Sequence, residues 1–155
     1  MKEKVNIVCL YWTPCIRGRN FTCKDIERLQ LNVERYMDRP YDFYCLTNYE
    51  GNDLPAIRIP LQHQWAGWWS KMELHRADMP AGRTLYLDQD TYIISSLQPV
   101  LDYEGDLVMF KNRITKQQPG MVLRYQAGIM LFTPGKMSWM YDKFIQHEDQ
   151  CMSLS

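Results

Sequence analysis

Apolar and polar positions along this chain follow two periods in turn. Val5-Asn6-Ile7-Val8-Cys9-Leu10-Tyr11 is nearly unbroken in apolar character, which predicts a buried strand, and Thr13-Pro14 with Gly18-Arg19-Asn20 predicts a loop leaving its carboxyl end. From Thr22 the period becomes helical: Ile26, Leu29, Val33 and Tyr36 or Met37 recur until Arg39-Pro40, with Thr22 as cap and Asp25 three residues on. Tyr41 to Thr47 predicts a second strand, Asn48 to Asp53 a turn-rich loop, and Ala56 to Ile59 a short third strand between Pro55 and Pro60.

The second half repeats the alternation. Trp68 to Asp78 predicts a helix with Trp68, Met72 and His75 on one face, ended by Pro80-Ala81-Gly82. Arg83 to Leu87 predicts a strand that runs into Asp88-Gln89-Asp90, after which Tyr92-Ile93-Ile94 resume the apolar character. Asp106 to Lys111 and Tyr125 to Phe132 are further strands around a polar loop at Asn112 to Gly120, and Pro134-Gly135 introduces a last helix from Lys136 to Glu148. Strands alternating with helices predict an α/β fold with a mostly parallel sheet covered on both faces.

At 155 residues and 46% hydrophobic content, the expectation is a single domain over 1–155. Eighteen basic and eighteen acidic side chains cancel, which argues against nucleic acid as a partner. Met1-Lys2-Glu3-Lys4 leads into a strand rather than an apolar leader, and no run is long enough for a transmembrane segment, so the expected location is cytoplasmic. Cys9, Cys15, Cys23, Cys45 and Cys151 lack the paired spacing of a zinc or redox site; Cys9 and Cys45 read as small core residues.

Most of the functional inference rests on Asp88 and Asp90. Side chains two apart in an extended segment point to one side and can share a cation, and two carboxylates inside an apolar stretch are costly to bury unless Mn²⁺ or Mg²⁺ neutralises them. The competing reading is that the two aspartates cap a surface turn.

In this setting the run GRTLYLDQDTYIISSL, Gly82 to Leu97, resembles the Asp-x-Asp segment of GT-A fold nucleotide-sugar glycosyltransferases, especially the glycosyltransferase family 8-like proteins of bacteria and phages. WWSKMELH, Trp68 to His75, is similar to the Trp-Ser-Lys helix that precedes this segment in phage-type members, and YQAGIMLFTPGKMSW, Tyr125 to Trp139, to the strand whose small-residue turn faces the sugar. The resemblance implies a hexosyltransferase-like enzyme that moves a sugar from a nucleotide-diphosphate donor, a UDP-sugar by class, to an unidentified acceptor with retention at the anomeric carbon. It implies that Asp88 and Asp90 hold Mn²⁺ or Mg²⁺ and that Asp88 also reaches the ribose. Lys71 would approach the donor as a catalytic cation, or is a solvated lysine. Tyr11, Trp12 and Thr13 would bind base and ribose, while Arg17 and Arg19 would steer phosphate or are merely exposed. Trp68 and Trp69 are core, cleft wall or a stacking platform. Gln126 would contact the sugar, on a longer stem than the family's usual Asn, and Gly128 would allow close backbone approach. Asp149-Gln150 is similar to an Asp-Gln pair of the family. His147 does not match the family's late metal-binding histidine, and members usually continue further, so the resemblance also implies a chain lacking the carboxyl-terminal part, with a homo-oligomer as one way to cover the cleft.

Two rival functions stand beside this one. A haloacid dehalogenase-type phosphohydrolase also uses Asp-x-Asp after a strand, but near the amino terminus, and the position four residues after the first aspartate here is Tyr92. A nucleotide-binding module without turnover is the other. Glycine-rich dinucleotide and phosphate-loop motifs are absent.

Overall fold

The computed structural model describes residues 2–14, 21–111 and 125–153. The apolar run Val5–Tyr11 forms β1, every residue of which is buried, and it lies inside a six-stranded sheet. The other strands are β2 (Tyr41–Thr47), β3 (Ile57–Pro60), β4 (Thr84–Leu87), β5 (Leu107–Lys111) and β6 (Tyr125–Phe132), in the order β3-β2-β1-β4-β6-β5. β3, β2, β1 and β4 run parallel, whereas β6 is antiparallel to both β4 and β5. This is the mixed α/β, mostly parallel sheet expected from the alternation of periods.

Alternation along the strands divides the core into two layers. Ile7, Cys9, Cys45, Leu85, Leu87 and Leu131 face helix α1 (Cys23–Tyr36), which brings Ile26, Leu29 and Val33, and the short helix α2 (Gln98–Leu101), which brings Leu101. Val8, Leu10, Leu46, Tyr86, Met130 and Phe132 face the opposite side, where Leu74 and Met79 cover them. Helix α1 begins where Thr22 predicts it, with the Thr22 backbone N–H donating to Asp25 Oδ2 at 2.9 Å.

Trp68 to Asp78 departs from the expected helix. It is a 3₁₀ segment, Gly67–His75, entered by Gly67 at φ 58°. Three residues per turn align Ser70, Glu73 and Arg76, and all three are buried, while Trp68 points outward at 47% exposure. A buried ion pair, rather than an apolar stripe, decides which side faces in. Glu73 is fully buried; its carboxylate accepts the N–H groups of Gln62 at 2.7 Å and His63 at 3.0 Å, and pairs with Arg76 at 2.6 Å. Arg76 also donates to Pro60 O at 3.0 Å, which ties the segment to the end of β3. The predicted last helix is likewise two pieces, α3 (Ser138–Gln146) and α4 (Glu148–Met152), which meet at His147. Phe144 of α3 packs against Trp65 and Trp69, with ring centroids 4.8 and 5.3 Å apart. The loop expected at Asn112 to Gly120 lies outside the described residues, and among those described no helix is long and apolar enough to cross a membrane.

His75 ends the 3₁₀ segment edge-on to Phe132, 4% exposed, with Nδ1 unpartnered among the described residues. Burial lowers its pKa from 6.5 to about 4. Below pH 6.5 the unfolded chain therefore binds a proton that the folded chain refuses, and stability falls as the pH drops from 6.5 towards 4. Urea unfolding across this window should show the wild type losing up to about 3 kcal/mol more than His75→Leu; parallel losses would show that His75 is not held neutral.

Candidate functional site

Strand direction alone assembles one busy edge of the sheet. β1, β2 and β4 are parallel, so their carboxyl ends meet there; β6 runs the other way and starts there, and β5 ends there. The chain builds outward from β1 through β2 to β3 and then returns to place β4 on β1's other side. Between β1 and β4 lies the topological switch point, where open α/β sheets leave a crevice for ligands. Asp88 follows β4 at this point.

The acidic pair is not an interruption in a buried strand. Sheet pairing stops one residue after β4, with Asp88 N–H donating to Gly128 O at 2.8 Å, and the chain then turns so that Thr91 N–H donates to Asp88 O at 2.9 Å. Beyond the turn, Ile93 is buried but Tyr92 and Ile94 are 67% and 85% exposed. The turn geometry weighed against the extended reading is therefore the one found, although β6 itself continues past Gly128 to Tyr125. Both carboxylates nevertheless line the same cavity, about 700 Å³, together with Thr91, Phe110, Lys111, Gln126, Gly128 and Ile129. Asp88 is half-buried and Asp90 exposed.

Lys71 reaches this site from the 3₁₀ segment. Its Nζ lies 2.6 Å from Asp88 Oδ1 and 3.3 Å from Ala127 O, above the Tyr86 ring at 5.3 Å. It is thus an ion-paired side chain, 20% exposed, and not a solvated surface lysine. The Tyr86 hydroxyl donates to the same Oδ1 at 2.5 Å. Burial, then the Asp88 charge, pushes the Tyr86 pKa well above its ordinary value, so the phenol stays protonated and donating. The burial cost that sequence reasoning assigned to a metal is met at Asp88 by these two groups.

Three further features shape the site, and of these only Gly128 has a sequence signal. Phe110 pairs with Gln126 but Met109 with Met130, so Ala127 to Ile129 bulge away from β5 while Ile129 still pairs with Leu87 of β4. Gln126 therefore sits in β6 and on the cavity wall, not in a separate turn, and is exposed. At Gly128 an added Cβ would lie 3.1 Å from Asp88 Oδ2, so the missing side chain leaves room for that oxygen. From the other side, Arg28 of α1 donates to Gln89 O at 2.7 Å and stacks over Tyr92 at 4.8 Å, clamping the turn by its backbone. An arginine on an otherwise ordinary helix gives no hint of this contact.

The remaining candidates spread outward. Tyr11 is buried against Tyr49, with centroids 5.4 Å apart, and Thr13 N–H donates to Asn48 Oδ1 at 2.8 Å while Asn48 Nδ2 donates to Thr13 O at 2.5 Å. Tyr11, half-buried Trp12 and Thr13 share the sheet edge with the acidic pair but do not line its cavity. Trp69 is half-buried and stacked on Phe144. His147, Asp149 and Gln150 are exposed around α4 and line other hollows. Arg17, Arg19 and Cys15 lie outside the described residues. Among those described, no group of three or more His, Cys, Asp or Glu side chains is placed to hold a metal. Two carboxylates on one cavity wall are nonetheless the hard oxygen donors that Mg²⁺ or Mn²⁺ takes while keeping several waters.

No protein-family model matches this chain, and no curated protein matches it in sequence. Solved glycosyltransferases share its fold. The galactosyltransferase LgtC, in complex with donor and acceptor sugar analogs, superposes with a TM-score of 0.60 at 17% identity, over 93% of this chain and 65% of that one. The apo-form glycosyltransferase GlyE of Streptococcus pneumoniae TIGR4 gives 0.67 at 16% identity, over 96% of this chain and 39% of that one. The chain thus spans 65% and 39% of the lengths of these two structures, and at such identities the likeness is one of fold.

Removing the Tyr86 hydroxyl should cost stability through Asp88 rather than through packing. Tyr86→Phe is expected to lower unfolding free energy by about 1–2 kcal/mol, measured by urea denaturation, with the loss absent when Asp88 is already Ala. An equal loss in both backgrounds would show that the hydroxyl does not act through that carboxylate.

Proposed function

We propose that the chain is a metal-dependent glycosyltransferase of the family 8-like kind, moving a hexose from a nucleotide-diphosphate donor, UDP by class, to an acceptor with retention at the anomeric carbon. The observation that carries this reading is the placement of Asp88 and Asp90 on one cavity wall at the switch point of a sheet shared with glycosyltransferases. A cavity of about 700 Å³ falls within the range of small-molecule sites.

Each role follows from position. Asp88 and Asp90 would hold Mn²⁺ or Mg²⁺, which when bound supplies charge stabilisation to a departing diphosphate. Lys71 brings a second positive charge to Asp88, one of the carboxylates on that wall, and its effect would grow as negative charge builds on the leaving group. Gln126 presents an amide, both donor and acceptor, to hydroxyl groups in the cavity. The bare backbone at Gly128 leaves space beside Asp88. Tyr11, Trp12 and Thr13, on the loop that Asn48 holds, offer the nucleoside an aromatic and polar seat one strand away.

Calorimetry with nucleoside diphosphates and their sugars, with and without Mn²⁺, tests this. Nucleotide binding should require the ion, and Asp88→Asn and Asp90→Asn should each abolish the ion-dependent part; unchanged affinity in both variants refutes the assignment. Donor turnover lost in Asp90→Asn supports the enzyme, whereas ion-dependent binding with no turnover in the wild type reduces it to a binding module.

A further inference from the structure

Asp88 already has a cation. Lys71 Nζ sits 2.6 Å from Oδ1, and the Tyr86 hydroxyl occupies the same oxygen at 2.5 Å, so both donors saturate the side of the carboxylate they approach. Oδ2 is turned to the bare backbone of Gly128. The lysine stem rises from a segment anchored by the buried Glu73–Arg76 pair, and its ammonium has a second acceptor in Ala127 O at 3.3 Å. Asp90, across the turn, is exposed on the cavity wall.

From this arrangement we infer that Lys71 is a built-in counter-cation which a divalent ion displaces from Asp88, so that loading the ion frees the ammonium into the cavity for the donor's phosphates. The inference rests on the reading of Asp88 and Asp90 as cation ligands. An incoming ion meets the exposed Asp90 first. A dication drawn in towards Asp88 repels the ammonium at close range, and the four-carbon lysine stem lets it swing away while the Arg28-clamped turn stays in place. The order of binding, ion before nucleotide, follows. So does an inversion of sign: removing Lys71 helps the ion and harms the nucleotide, whereas a lysine with only a structural role would weaken both when removed.

The test measures Mn²⁺ binding to the nucleotide-free chain. Lys71→Met should bind Mn²⁺ about tenfold more tightly than the wild type, and bind nucleoside diphosphate in saturating Mn²⁺ more weakly. On the unaltered protein, acylation of the Lys71 amine, followed by mass spectrometry, should be slow without metal and accelerate on Mn²⁺ saturation, with no acceleration in Asp90→Asn; this readout decides the matter alone if Lys71→Met does not fold. Asp90-dependent Mn²⁺ binding that Lys71→Met leaves no tighter, or that leaves Lys71 acylation unchanged, overturns the exchange and spares the cation reading. No Mn²⁺ binding to either the wild type or Lys71→Met overturns both.

Discussion

A single carboxylate joins three separate parts of this chain. Asp88 is tied by its backbone to β6 through Gly128, by one oxygen to Tyr86 of β4, and by the same oxygen to Lys71, which comes from the 3₁₀ segment on the opposite side of the sheet from α1. A lysine ammonium and a tyrosine hydroxyl meet on one oxygen of this half-buried side chain at the edge of the sheet. The rest of the site is arranged around that meeting point.

Supports around this node divide into stiff and soft. The turn is held by a backbone rung to Gly128 and by Arg28 bound to a peptide oxygen, contacts that leave both carboxylates out of account. Lys71 is held at the end of a flexible stem by its pairing with Asp88, a hydrogen bond to Ala127 O and the face of Tyr86, above a floor fixed by the fully buried Glu73. Buried pairs of the Glu73–Arg76 kind add little net stability over apolar packing, yet they penalise every arrangement that separates them. Here that penalty selects the 3₁₀ register, and the register decides that Lys71 points at Asp88 while Trp68 does not.

The same contrast explains what is legible in the sequence. Strands and the first helix are readable because they depend on burial, and burial leaves a period: Val5 to Tyr11 and Ile26, Leu29, Val33 announce themselves. The switch point is readable because an apolar run that stops at two aspartates marks the carboxyl end of a strand, where open α/β sheets place their ligands. Polar geometry leaves no period. Nothing in Trp68 to His75 reveals that Glu73 will face inward, since the apolar spacing of Trp68, Met72 and His75 suggests the reverse. The Phe110–Met109 register shift that opens the cavity, and the reach of Arg28 to Gln89, depend on partners far along the chain. Asp88 and Asp90 were expected on one side of a strand and are found on one side of a cavity, by way of a turn.

Gly128 shows how closely the two kinds of support are coupled. The bulge that carries it belongs to β6, where Ala127 to Ile129 are skipped by β5 between the Met109–Met130 and Phe110–Gln126 pairs. Its carbonyl fixes Asp88, its missing side chain leaves room for Oδ2, and the carbonyl of its neighbour Ala127 is the second acceptor for Lys71. Any residue larger than glycine would press on the oxygen that the Lys71 pairing leaves available. A position that reads in sequence as a place of close backbone approach thus also controls the space, the backbone rung and the neighbouring acceptor of the charged centre, which is why the bulge and the acidic turn have to be understood as one construction.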